Sequence, residues 1–344
     1  MSKRKSAAFS ASIFLLLSAL ISSDDSFAQD VATEKIRVGI ASFSISFIPL
    51  RVAQLKGFFR EEGLEVELLR ISTPVSMIAL MNKEIDYATS TGALLAGAAK
   101  GIPLKVVMYF LRTPLHVLVV KPEIRSIQDL KGRVVGVSEF GATPEVILRA
   151  MLGHAKVNID KDVKVLQITE SNSRFGALIL GRMDGAILPP PYSVQAETKG
   201  FRRLMSVAEI PEISEGKVAI PPPTGLGVNI EKLQSNPHQI KRTIRALLKS
   251  QDFIRTNKVE TTKIISDWLK VDASIAGGSY DIYRLSMSPD GLVREPVMES
   301  SIEQLRRSLK IEEKIPIAKV AEFSIIREAL TELGKIKSSP PRLP

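Results

Sequence analysis

Ile36-Arg-Val-Gly-Ile40, Ala41-Ser-Phe-Ser-Ile-Ser46, Leu55-Lys-Gly-Phe-Phe-Arg-Glu-Glu-Gly63 and Glu84-Ile-Asp-Tyr-Ala-Thr-Ser-Thr-Gly92 decide the fold. An apolar strand runs into a Ser-rich loop, and an apolar helix over about 48–61 follows. A second strand, Leu64–Leu69, precedes a helix opened by Thr73-Pro74. A third strand, Tyr87–Thr89, ends in Ser90-Thr-Gly92, where a helix over about 92–99 begins. Short strands separated by helices of this length predict a mostly parallel sheet covered on both faces. Each strand hands over to Ser, Thr or Gly just where a helix starts. Backbone N–H groups and hydroxyls are thereby aimed at one crevice, an arrangement suited to a small anionic or zwitterionic ligand.

Two apolar strands, Leu104–Phe110 and His116–Val120, are then joined by Leu111–Leu115 alone. A parallel crossover needs about a dozen residues. Either one strand of the first sheet is reversed here, or the chain is leaving that sheet. A second α/β unit follows: the capped turn Ser126–Gly132, strand Val134–Val137, loop Ser138–Ala142 and helix Pro144–Leu152. Strand Val163–Ile168, strand Gly185–Leu188 and the turn Pro189-Pro-Pro-Tyr192 complete it. A strand near Arg203–Val207 and the run Pro221-Pro-Pro-Thr-Gly-Leu-Gly227 mark the exit. From Ile230 to about Leu333 the pattern is largely helical, as in Pro237–Thr256 and Met298–Leu309. The expected organisation is a first lobe from 29–120 plus 218–337, a second lobe from 121–217, and a Pro-rich tail over 338–344. Two passages between lobes would make a hinge.

The N-terminus reads as an export signal. Lys3-Arg-Lys5 is a positive n-region, Ile13–Ile21 a short apolar core, and Ser26-Phe-Ala28 a small-x-small cleavage site. The apolar run is shorter than the roughly 20 residues that span a bilayer, so residues 1–28 are expected to be removed after Ala28. The remaining length suits two domains of about 150 residues. Hydrophobic residues make up 44% and charged residues 24%, the balance of a globular protein. The absence of Cys excludes disulfides, thiolate metal sites and Cys nucleophiles. The net charge of +10 raises the question of nucleic acid. The basic residues, however, are scattered over amphipathic helices (Lys241, Arg242, Arg245, Lys249; Arg306, Arg307, Lys310) without aromatic interleaving. They read as solvated faces, and no nucleic-acid partner is expected.

The loops carry the candidate ligand contacts. Ser42, Ser44 and Ser46 offer hydroxyls and N–H groups to a carboxylate, sulfonate or nitrate, with Phe43 as an apolar wall; a helix cap is the plainer use of the same residues. Thr73-Pro74 and Thr143-Pro144 both place Pro where helices begin. Gly141-Ala142 before Thr143 lets backbone approach a ligand closely, and Ser90-Thr91-Gly92 occupies the equivalent place after the third strand. Arg112 could pair with an anion or with a surface acid. Trp268 and Tyr283 fall on helical faces and read as packing residues. The three histidines (116, 154 and 238) are far apart, and neither a G-x-S-x-G elbow nor a P-loop is present. No catalytic residue, metal site or cofactor is expected.

Taken together, these motifs resemble the solute-binding proteins of ABC importers, in the branch that takes nitrate, sulfonates, taurine and thiamine-pyrimidine precursors. In that family a Ser-Thr-Gly after the third strand, a Gly-Ser/Thr cluster in the second lobe and an Asp-Pro-Tyr line the cleft. Ser90-Thr91-Gly92 and Gly141-Ala142-Thr143 match the first two. Pro190-Pro191-Tyr192 takes the place of the third, with Pro190 where the family has Asp. Gly57-Phe58-Phe59 with Gly63-Leu64, and Leu130-Lys-Gly132 to Val137, also fit. The resemblance implies a two-lobe periplasmic-binding-protein fold (type II-like), each lobe a mostly parallel sheet flanked by helices, with the ligand cleft between them. It implies a monomer in the periplasm that closes on a small solute and delivers it to ABC permease subunits in the inner membrane. An enzyme of pyrimidine-precursor type shares the fold and is the rival reading; such enzymes rely on Cys and His clusters.

Overall fold

A computed structural model describes residues 33–336. The expected export signal (1–28) and the tail (338–344) lie outside the described residues. Ten strands build two five-stranded sheets. β1 (Glu34–Ile40), β2 (Leu64–Arg70), β3 (Tyr87–Ser90) and β4 (Leu104–Tyr109) belong to the first sheet. β5 (Val117–Val120), β6 (Val134–Val137), β7 (Lys164–Gln167), β8 (Gly185–Leu188) and β9 (Arg202–Ser206) form the second, and β10 (Thr224–Asn229) returns to the first.

The first sheet has the order β2-β1-β3-β10-β4 and the second β7-β6-β8-β5-β9. Each contains one reversed strand. β10 runs antiparallel to β3 and β4, and β5 runs antiparallel to β8 and β9. Both reversed strands are the ones that arrive from the other lobe. The short link after β4 is therefore a passage between sheets, the second of the two alternatives left open by its length.

Both expected lobe boundaries shift as a result. Val117–Val120, assigned above to the first lobe, is fully paired inside the second sheet. Ile220, assigned above to the returning segment, is buried in the second lobe's core with Val207, Ile210 and Ile213. The crossings are thus 110–116 and 221–223. A strand lies where the sequence suggested only an exit, because β10 carries two glycines that weaken its strand signature. Both are needed at the sheet centre: a Cβ on Gly225 would lie 2.0 Å from the Met108 carbonyl oxygen, and one on Gly227 2.3 Å from Leu94.

Helices after β10 complete the first lobe. Pro237–Thr256 buries Ile240, Ile244, Leu247, Leu248 and Ile254 at helical spacing against the sheet and its neighbours. Ala273–Ser286 abuts the second-lobe helix Tyr192–Thr198, where Gly278 is approached so closely by Val194 that an added Cβ would lie 2.6 Å away. The first crossing is pinned to the end of this long helix. Arg112 donates its backbone N–H to the Ser286 carbonyl at 2.7 Å, and Ser288 donates to the Phe110 carbonyl at 2.9 Å. No helix among the described residues is long and apolar enough to cross a membrane.

Candidate functional site

A cleft of about 440 Å³ opens where the ends of the two sheets meet the crossing segments. Three helices begin at it. Thr73 opens Thr73–Met81, Gly92 is the second residue of Thr91–Ala99, and Thr143 opens Thr143–His154. Pro74 and Pro144 stand in the first turns, where a missing N–H costs nothing. The unpaired N–H groups of such ends carry partial positive charge toward the cleft. Thr73 Oγ1 and Ser90 Oγ are hydrogen-bonded to each other at 3.0 Å, which leaves a hydroxyl pair on the first-lobe wall. Thr143 stands on the second-lobe wall. None of the lining residues is Asp, Glu, Lys or Arg.

Of the residues expected at the ligand, Ser44, Thr73, Ser90, Gly92 and Thr143 line this cleft. Ser44 also caps the short helix Ile45–Phe47, accepting from the Ser46 N–H at 3.3 Å. Ser42 is exposed outside the lining. Phe43 sits edge-on to Trp268, with ring centres 4.8 Å apart.

Thr91 is a correction: it is completely buried, and its hydroxyl donates to the Pro222 carbonyl at 2.5 Å. Burial of its hydroxyl against a proline carbonyl removes it from ligand contact. Arg112 is a second correction, because its guanidinium lies 3.7 Å from the Asp290 carboxylate on the surface. Gly141 turns with φ +76° and gives its N–H to Glu145 Oε2 at 3.3 Å, while Ala142 is the cap residue of the helix that Thr143 opens. Pro191 caps the next helix, and the Tyr192 ring packs 6.0 Å from Phe175 against the core rather than at the cleft. Pro189 and Pro190 line the cleft in their stead.

The floor comes from residues that strand-end motifs do not reveal: Pro114, Leu115 and His116 from one crossing, Pro221, Pro222 and Pro223 from the other. The signal was available. Any segment passing between lobes must border the space between them, and the second crossing is a run of three prolines, Pro221–Pro223.

His116 is the titratable group among the lining residues. Its Nδ1 is buried with no hydrogen-bond partner in the protein. Burial, assisted by the Arg174 charge, lowers its pKa to about 4, so the ring is neutral at pH 7.

Comparison with known proteins agrees with this architecture. The family model described as NMT1/THI5 like matches residues 44–261. YtlA of Bacillus subtilis (strain 168) is 24% identical over 314 residues, covering 88% of this chain and 92% of that protein. A yeast enzyme, 4-amino-5-hydroxymethyl-2-methylpyrimidine phosphate synthase THI13 of Saccharomyces cerevisiae, is 24% identical over 238 residues, 64% of this chain and 67% of its own. The periplasmic aliphatic sulphonate binding protein SsuA of Escherichia coli superimposes with a TM-score of 0.65 at 16% identity, covering 84% of this chain and 92% of that one. The two-lobe periplasmic-binding-protein fold is therefore shared.

Proposed function

The chain belongs to the NMT1/THI5-like family, and on that premise we propose that it is the substrate-binding component of an ABC importer. It takes a small anion, such as a sulfonate, nitrate or a taurine-like zwitterion, by closure of the two lobes in the periplasm. It then passes the solute to permease subunits in the membrane. The observation that carries this reading is the facing of Thr73 and Ser90 on one lobe with Thr143 on the other, each at a helix start, across a cleft without acidic side chains. Such donors hold an anion by hydrogen bonds and helix-end charge without a fixed countercharge in the lining. Contacts from both lobes to one ligand favour the closed form. The relative whose name states sulphonate binding has the same fold.

The test is a thermal-shift screen of the mature protein against nitrate, taurine and short alkanesulfonates, followed by small-angle scattering with any compound that binds. A ligand at one hundred times its dissociation constant stabilises the native state by about 2.7 kcal/mol, and closure reduces the radius of gyration. No stabilisation by any anion of the panel, or an unchanged radius at saturation, overturns the reading.

The rival reading rests on the match to the yeast synthase and on one feature of the cleft, the neutral imidazole of His116. Formation of the pyrimidine phosphate by the purified protein would decide for it; stoichiometric binding without turnover would decide against it.

A further inference from the structure

Arg174 lies in the helix Ser171–Ile179 of the second lobe with only 1% of its surface exposed. Its guanidinium donates to the carbonyls of Ile168 at 2.7 Å, Thr169 at 2.6 Å and Ile187 at 3.3 Å, and to Ser171 Oγ at 3.0 Å. These carbonyls stand in β8 and just past β7, and Ile187 is two residues before Pro189 of the cleft lining. Among the described residues no carboxylate comes within 4 Å of it. The acid whose charge reaches it is Glu170, which is exposed at the helix start. A buried cation is normally paired because leaving it alone is costly. Here neutral oxygens solvate the charge without cancelling it, and a guanidinium does not lose its proton in a protein.

We propose that Arg174 is the fixed charge that makes the cleft electropositive and selects anions over cations and neutral solutes, acting through the wall rather than by contact. The inference deepens the solute-binding reading and rests on it. Arg174 is a specificity-determining residue that touches no ligand. Its guanidinium is buried and bonded to the β8 carbonyl of Ile187, two residues before the lining residue Pro189, and a charge acts several-fold more strongly through protein than through water. Burial is the first cause of the neutrality of His116, and the Arg174 charge adds to it, because a second positive charge on the cleft wall is disfavoured beside the first. The cleft therefore keeps one permanent positive charge behind it.

The chain has no native Cys, so the potential can be read without knowing the solute. His116→Cys places one thiol on the cleft floor, and Thr198→Cys places a reference thiol on the exposed end of the helix Tyr192–Thr198. Each is reacted with a sulfonate-bearing and a trimethylammonium-bearing thiosulfonate of similar size. The ratio of the two rates, taken against the Thr198→Cys reference, reports the local potential. Arg174 should favour the anionic reagent at the floor by about tenfold. That preference should fall with Arg174→Gln to the level that the helix ends alone set and persist with Arg174→Lys. Ser171→Asp, which sets a carboxylate beside the guanidinium without removing its carbonyl bonds, should lower it to the same level and serves if Arg174→Gln fails to fold. A floor ratio equal to the reference, or a preference unchanged by Ser171→Asp, overturns the proposal. Failure of every anion in the binding screen while the ratio behaves as expected would overturn the importer reading and leave the assigned potential standing.

Discussion

The Trp268 indole donates its Nε1–H to the Ser44 carbonyl at 3.1 Å, so the chain's single tryptophan holds the first loop of the cleft from outside. Phe43 packs edge-on against the same ring at 83°, and the Arg51 guanidinium lies 5.5 Å above it. The helix Lys258–Leu269 thereby fixes a loop more than two hundred residues earlier. Ser44 keeps its place at the cleft because its neighbours on both sides are anchored.

Trp268→Phe removes the donor and keeps most of the packing. A lost hydrogen bond of this kind costs about 0.5–1.5 kcal/mol, so urea denaturation should show a loss in that range. The loosened loop should weaken ligand binding several-fold more than it weakens the fold. In the parent, the emission of Trp268 should change on saturation with the ligand. Unaltered emission at saturation would show that the Ser44 loop does not take part.

Thr143 and Thr91 are alike in sequence context yet should respond differently. Thr143 is exposed at the cleft, so Thr143→Val should leave stability within about 0.5 kcal/mol and reduce affinity about tenfold or more, as loss of a hydrogen bond to a charged ligand does. Thr91→Val strands the Pro222 carbonyl and should cost about 1–3 kcal/mol of stability, with a smaller effect on binding. Paired denaturation and isothermal titration measure both. Equal loss of affinity in the two variants would contradict the assigned orientations.

Strand and helix alternation was legible wherever apolar runs were bounded by Gly, Pro or caps: Val134–Val137, Gly185–Leu188 and Pro237–Thr256 lie where the pattern put them. β10 was not, because two of its six residues are glycines and three prolines precede it, and its glycines are dictated by Met108 and Leu94 from distant parts of the chain. The same limit applies at the cleft. Helix starts can be read locally, so Thr73, Ser90, Gly92 and Thr143 could be named. Whether a hydroxyl turns outward, as at Thr143, or inward, as at Thr91, depends on a carbonyl 131 residues away.

Gly225→Ala tests the return of β10 to the first sheet. The added methyl would meet the Met108 carbonyl and the Tyr109 Cα, both backbone atoms that cannot swing aside. Overpacking typically costs about 1–3 kcal/mol and more where backbone must move. The variant should lose at least about 3 kcal/mol in denaturation, whereas Gly153→Ala, on a helix with open space around its Cα, should be neutral or slightly stabilising. Equal stability of the two variants would mean that β10 does not sit between β3 and β4.

His116 gives the fold an acid-sensitive component in a defined window. Burial first, and Arg174 second, hold its pKa near 4 in the folded chain, against about 6.5 when unfolded. Between these values the unfolded chain binds a proton that the folded chain does not, so stability falls as pH drops from about 6.5 to 4 and is recovered on the way back up. The shift amounts to about 3 kcal/mol at most. Carboxylates held low by basic partners, such as Glu303 beside Arg306 and Arg307 at about 2, and Glu332 beside Lys241 and Arg245, lose their stabilisation at lower pH, as acid brings them through their folded values. His116→Asn keeps a polar side chain but does not titrate. Urea denaturation at pH 7, 6, 5 and 4.5 should show a smaller loss in this variant than in the parent, with the difference confined to that window. Parallel curves for the two proteins would place the acid sensitivity elsewhere.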